Sequence, residues 1–174
     1  MRLAYADYWD IHHRKSTRLP NRDYAAAGIY FVTICAAGRD YLFGEIVEGE
    51  MILNEFGKLA DMTLQWIPNQ YPYVRLDTYV VMPNHIHVIF DITDCRGGSR
   101  TAPTQQRKSL GGLIGVFKTV STKWMNEIRN APGEKIWQRN YHDRIIRNAR
   151  ELQIIRQYIT DNSKNWSHDE FHWR

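Results

Sequence analysis

The sequence predicts an α+β domain, a ferredoxin-like antiparallel sheet with helices mainly on one face. Three observations predict it. Several short segments are rich in β-branched and aromatic residues, two or three longer ones carry apolar residues at helical spacing, and the two kinds interleave along the chain. Residues 29–35 (IYFVTIC) read as a central strand. Residues 41–46 and 51–53 flank Glu48-Gly49-Glu50, a hairpin pattern. Asn54 caps a helix reaching about Ile67, with Phe56, Leu59, Ala60 and Leu64 on one side, and Pro68 is expected to stop it.

Residues 74–82 alternate in part and lead into the turn dipeptide Pro83-Asn84. Residues 85–92 (HIHVIFDI) form the next strand, and 93–108, with Gly, Ser, Thr, Pro and Gln, read as a mobile loop. Ser109 opens a second helix whose stripe is Leu110, Leu113, Ile114, Phe117, Val120 and Trp124. A short strand is expected near 141–147, then a last helix over about 149–163 with Leu152, Ile155 and Ile159 facing inward. No internal repeat is visible.

The 174 residues suit one core, so residues 1–174 are expected to form a single domain with a basic N-terminal arm over about 1–27. An apolar fraction of 43% and a charged fraction of 24% are those of an ordinary globular chain. Asp7, Asp10, His12 and Arg14 stand where a secretory signal would need an apolar run, and no segment has the length and hydropathy of a membrane span. A cytoplasmic location is therefore expected. Cys35 and Cys95 have no CxxC spacing, which excludes a disulfide framework and the usual zinc sites; Cys35 reads as core and Cys95 as a loop bystander.

The net charge of +4 is weak evidence for a polyanionic partner, and its distribution says more. Arg2, Arg14, Lys15, Arg18 and Arg22 crowd the arm, and Arg139, Arg144, Arg147, Arg150 and Arg156 crowd a late segment. Tyr5, Tyr8, Trp9 and Tyr24, then Trp137, Tyr141, Tyr158, Trp166 and Trp173, interleave with them. Cations for phosphates and flat rings for unstacked bases are what single-stranded nucleic acid requires. A solvated surface over core aromatics is the plainer alternative.

The chemistry centres on Pro83-Asn84-His85-Ile86-His87. Side chains two apart on a strand share a face, so His85 and His87 present two imidazoles while Ile86 and Val88 turn to the core. Two neutral imidazoles suit a divalent metal and leave its coordination open for substrate. The pair reads equally as two histidines alternating on a half-exposed strand. A histidine-triad nucleotide hydrolase needs a third alternating histidine, and position 89 is Ile.

Tyr158 and Asn162 lie four apart on one helical face. Tyr158 could attack a phosphorus while the Asn162 carbonyl oxygen serves the metal. A phenol of pKa about 10 needs a metal or base to activate it. An interfacial tyrosine packed beside Ile154 is the competing reading. Tyr141, beside His142 and Asp143, is a rival nucleophile, although adjacent strand residues point to opposite faces. The glycines of 111–115 lack the ending of a phosphate loop. His12-His13 reads as part of the arm.

Several motifs in order make a further point. Arg18-Leu-Pro, Tyr30-Phe-Val-Thr-Ile, Leu42-Phe-Gly-Glu, Met82-Pro-Asn-His-Ile-His-Val-Ile, Trp137-Gln-Arg-Asn-Tyr-His-Asp and Tyr158-Ile-Thr-Asp-Asn162 with Trp166 span most of the chain. In them the sequence resembles the REP-associated tyrosine transposases, a branch of the single-tyrosine HUH transposases. The resemblance implies His85 and His87 as metal ligands, Asn162 as a third, amide ligand, and Tyr158, on the C-terminal helix, as nucleophile. Related transposases carry Gln at the position of Asn162, one methylene longer.

The resemblance further implies Mg²⁺ or Mn²⁺ and a substrate of single-stranded DNA beside a hairpin. The expected activity is metal-dependent cleavage and rejoining through a 5′-phosphotyrosine. The alternatives are a hairpin-binding protein of the same fold that does not cut, and a metal-dependent hydrolase that uses water. Arg14, Lys15 and Arg18 of the arm, with Lys118 and Lys123 of the second helix, are the expected DNA contacts, on charge and placement. Association with the bacterial nucleoid is expected, as a monomer or homodimer.

Overall fold

The computed structural model describes residues 27–93, 107–169 and 171–172. The predicted arm, apart from residue 27, and positions 94–106 of the predicted loop, Cys95 included, lie outside them. Among the described residues, six strands and three α-helices follow in order: β1 (Gly28–Cys35), β2 (Gly44–Val47), β3 (Glu50–Leu53), α1 (Glu55–Gln70), β4 (Val74–Val81), β5 (His85–Ile92), α2 (Leu110–Ile128), β6 (His142–Ile146) and α3 (Ala149–Asp161). The main sheet has the order β4-β5-β1-β6, and β2-β3 form a separate hairpin. Every pairing is antiparallel. Since β4 and β1 both oppose β5, they run the same way, and α1 crosses between them. With α2 joining β5 to β6, this is the predicted ferredoxin-like plan.

The period-two alternation sorts β1 and β5 onto two faces. Tyr30, Val32 and Ile34 of β1 and Ile86, Val88 and Phe90 of β5 meet Ala60, Leu64 and Ile67 of α1 and Leu110, Leu113 and Phe117 of α2 in the principal core. On the other face, Phe31 and Ile89 meet Ile155 and Ile159 of α3. Two helices therefore lie on one face and the third alone on the other. Cover on both sides explains why β1 and β5 read as nearly continuous apolar runs. Cys35 is buried, as expected. Among the described residues no helix is long and apolar enough to cross a membrane.

Local chemistry accounts for the element ends. Glu48 and Gly49 have φ of 52° and 80°, which closes the β2-β3 hairpin with both turn residues left-handed. The Asn54 side chain caps α1 by accepting from Gly57 N at 2.9 Å, and its amide donates to Leu42 O at 2.9 Å. Pro68 does not stop α1. The helix forfeits one backbone bond there and runs on to Gln70, where Tyr71 N donates to Ile67 O at 2.9 Å. Ser109 caps α2 as expected. The C-terminal half of the α2 stripe is displaced from the predicted one: Ser121 and Met125 are buried and Val120 and Trp124 only partly. A polar residue can occupy that position because the Ser121 hydroxyl accepts from Trp137 Nε1 at 2.9 Å.

Candidate metal and nucleophile site

His85 and His87 project from β5 onto the face covered by α3, and both are fully buried rather than half-exposed. Their ring centroids are 4.4 Å apart. In the β1-β5 register Thr33 lies opposite His87 and Cys35 opposite His85. Thr33 Oγ1 accordingly sits 2.8 Å from His87 Nδ1.

Asn84, in the β4-β5 turn, settles which nitrogen of His85 carries hydrogen. Its amide nitrogen donates to two carbonyls, Phe171 O at 2.7 Å and Arg39 O at 3.2 Å. Its oxygen therefore faces His85 Nδ1, 2.9 Å away. An oxygen can only accept, so Nδ1 carries the hydrogen and Nε2 is a bare lone pair. Burial, aided by the Arg39 cation, pushes the His85 pKa down to about 3, so the ring is neutral. Its buried Nε2 has no hydrogen-bond partner.

α3 brings Tyr158 over this pair. Its N-terminus is fixed by Asn148, whose side chain accepts from Glu151 N at 2.8 Å, while Glu151 reaches back to Arg147 N at 2.9 Å, a reciprocal cap. Ion pairs hold both flanks: Arg156 meets Asp77 of β4 through two hydrogen bonds, and Glu151 meets Arg144 of β6. With Ile155 and Ile159 buried on the sheet, the Tyr158 hydroxyl lands 3.1 Å from His87 Nε2. The Tyr158 ring meets Phe31 edge-on at 6.1 Å.

α3 ends at Asp161, and Asn162 keeps helical dihedrals as its cap, so it stays one turn beyond Tyr158 as the spacing requires. The Asn162 amide nitrogen donates to Asp169 Oδ2 at 2.9 Å, and its own oxygen is buried without a partner. Asp169 is the residue the sequence does not single out. It follows the 3₁₀ turn Trp166–His168, and Phe171 N donates to its Oδ1 at 2.7 Å. Burial pushes its carboxyl above the ordinary range, against hydrogen bonds from Phe171 N, Asn162 and Tyr158. Ligand atoms of His85, His87 and Asp169 all lie within 4.8 Å of one another. Phe171 packs on the pair, 4.6 Å from the His85 centroid and 6.0 Å from that of His87.

Ligand atoms of His85, His87 and Asp169 thus converge, with the phenol of Tyr158 against His87 and Asn162 bonded to Asp169. Two acceptors there, His85 Nε2 and the Asn162 oxygen, are buried and without a hydrogen-bond partner. Such a cluster is costly without a cation, and two imidazoles with oxygen donors fit a divalent metal. Asn162, with the shorter side chain, sits beside a carboxylate that adds a second oxygen donor.

Tyr141 packs against the principal core under α2, on the opposite face of the sheet, and the Lys118 ammonium lies 5.7 Å from its ring centroid. It does not meet the histidine pair. The Lys118 ammonium donates to the carbonyls of Gln138, Arg139 and Asn140. Lys123 is exposed, 3.9 Å from Glu127. Both lysines line one open groove of about 850 Å³ beside α2, with Lys135 and Arg139. The structure does not bring them to the histidines. Arg14, Lys15 and Arg18 lie outside the described residues.

No protein-family model matches the chain. It is 35% identical over 172 residues to an uncharacterised protein of Haemophilus influenzae, covering 93% of this chain and 94% of that protein. The chain belongs to one family with that protein. Its fold is that of a REP-associated tyrosine transposase, solved bound to a REP hairpin, at TM-score 0.57 and 18% identity over 84% of this chain and 72% of that one. A solved protein of Deinococcus radiodurans is more distant, at TM-score 0.46 and 17% identity over 80% of this chain and 94% of that one. The fold shared with the hairpin-bound transposase is the α+β plan described above, in a chain whose Haemophilus relative matches it nearly end to end.

Proposed function

We propose that this protein is a REP-associated tyrosine transposase that cleaves and rejoins single-stranded DNA beside hairpins, with Tyr158 as nucleophile. The observation that carries the reading is the 3.1 Å approach of the Tyr158 hydroxyl to His87 Nε2, next to the unpartnered Nε2 of His85. A tyrosine that merely packed at an interface would not need its hydroxyl held against one buried imidazole with a second beside it. The motifs from Arg18 to Trp166 and the fold shared with the hairpin-bound transposase support the DNA substrate.

His85, His87 and the Asn162 oxygen would hold Mg²⁺ or Mn²⁺, with the Asp169 carboxylate completing the donor set. The ion's chemistry would be to offset charge gathering on the scissile phosphate. Asn84 and Thr33 orient the two imidazoles. α3 aims the phenol oxygen, which bonds to phosphorus as the bond from phosphorus to the 3′ oxygen breaks. The phenol proton passes to Asp169 and from there to the departing 3′ oxygen, so protons and charge balance. The phosphodiester is conserved as a 5′-phosphotyrosine, and a 3′-hydroxyl can reverse the step and rejoin strands.

Lys123 and the arm residues Arg14, Lys15 and Arg18 are the proposed phosphate contacts, and Lys118 acts there through the loop it braces. Cleavage of a labelled hairpin with a single-stranded flank tests the reading. We expect cutting with Mn²⁺ and none with a chelator, and a 5′ end blocked by protein. A free 5′-phosphate would mean that water is the nucleophile, and binding without cutting would favour the non-cleaving alternative.

A further inference from the structure

The Arg39 guanidinium is not among the groups gathered around the histidine pair. Arg39 ends the 3₁₀ turn Ala37–Arg39 after β1, and both Gly38 and Arg39 have positive φ, 68° and 61°. Left-handed backbone is routine for glycine and unfavourable for arginine, and such strain gathers where a side chain must be aimed. What holds Arg39 there is the Asn84 amide, which donates to its carbonyl at 3.2 Å. The same amide grips Phe171 O and fixes the His85 tautomer. One side chain therefore locks Arg39, the C-terminal segment and the histidine in a single arrangement.

The guanidinium carbon of Arg39 lies 5.6 Å from the Phe171 ring centroid, and that ring rests on both histidines. Arg39 is exposed, and among the described residues no carboxylate pairs with it. An exposed cation aimed by strained backbone at the rim of a buried metal site suits an incoming anion.

We propose that Arg39 binds a phosphate of the DNA strand entering the histidine site, placing it for attack by Tyr158. The guanidinium fork can take two non-bridging oxygens at once. The proposal rests on the DNA-cutting reading above, and the following experiment separates the two.

Affinity for a single-stranded oligonucleotide is measured against salt for the wild type, Arg39→Gln and Arg39→Lys, with Mn²⁺ binding and cleavage measured on the same proteins. We expect Arg39→Gln to make the log–log salt slope shallower by about 0.7, the loss of one phosphate contact on a single strand. Cleavage should fall by about 100-fold, with Mn²⁺ affinity and melting temperature unchanged. Arg39→Lys should keep the slope but regain cleavage in part, because it keeps the charge without the fork. An unchanged slope in Arg39→Gln overturns the proposal while leaving DNA cutting intact. Joint loss of Mn²⁺ affinity and melting temperature also overturns it, since Arg39 would then be a structural cap on Phe171. A wild type that binds no single-stranded DNA overturns both readings.

Discussion

Asn84 ties His85 to two backbone carbonyls, those of Arg39 and Phe171. Removing it leaves His85 Nδ1 and two backbone carbonyls without their partners. Asn84→Ala should weaken Mn²⁺ binding by about 10- to 100-fold, the usual effect of losing a ligand's orienting partner, and destabilise the fold by about 2 kcal/mol. Titration calorimetry and thermal melting check the two parts separately. His85 makes a pH prediction as well. Its folded-state pKa of about 3 lies below the ordinary 6.5, so the unfolded chain binds the extra proton first. Its contribution is full above 6.5 and is lost as pH falls from there toward 3, by at most about 1.4 kcal/mol per pH unit. Metal-free protein should melt at lower temperature as pH drops from 7 to 4, and His85→Gln should flatten that profile.

At this scale the sequence was unevenly legible. His85 and His87 could be paired because strand alternation is strict, and Tyr158 with Asn162 because helical spacing is. Asp169 could not be found, since it lies beyond a 3₁₀ turn where no periodicity relates sequence separation to direction. Burial of the histidines was equally hidden. It depends on α3 and the Phe171 segment closing over a face that spacing alone leaves half-exposed.

Among the elements, α3 positions Tyr158, the proposed nucleophile, and its attachments are mostly polar. The reciprocal Asn148–Glu151 cap, the Arg156–Asp77 contact and the Arg144–Glu151 pair fix its start and both flanks. Asn148→Ala should cost about 1 kcal/mol of stability, read by denaturant melting. Asp77→Ala removes the β4 anchor while leaving the apolar contacts of Ile155 and Ile159. We expect DNA cleavage to slow by about ten-fold or more, because small displacements of a reacting group are costly, with little change in melting temperature. Cleavage at the wild-type rate would mean that apolar packing alone aims Tyr158. The inward stripe of α3 was legible from its periodicity. The path of α1 through Pro68 was not, because a proline near a helix end removes one hydrogen bond without ending the helix.

For the whole molecule, the decisive feature is which face of the sheet each group occupies. The interleaved order of strand and helix patterns made the ferredoxin-like plan legible. It did not say which helix would lie alone. α3 takes the face opposite α1 and α2, and that places Tyr158 over the histidines and Tyr141 in the core beneath α2. The α2 lysines go with Tyr141 to the far side, beside their own groove. DNA that reaches both Lys123 and the histidines must therefore pass around an edge of the sheet.

The central claim is that Tyr158 becomes bonded to DNA beside His85 and His87. The most direct measurement incubates wild-type protein, Tyr158→Phe and Tyr141→Phe with Mn²⁺ and end-labelled hairpin DNA, resolves them on a denaturing gel, and locates the modified peptide by mass spectrometry. The structure predicts an adduct on the Tyr158 peptide in wild type and Tyr141→Phe, and none in Tyr158→Phe. An adduct that survives Tyr158→Phe, or maps to Tyr141, would contradict it.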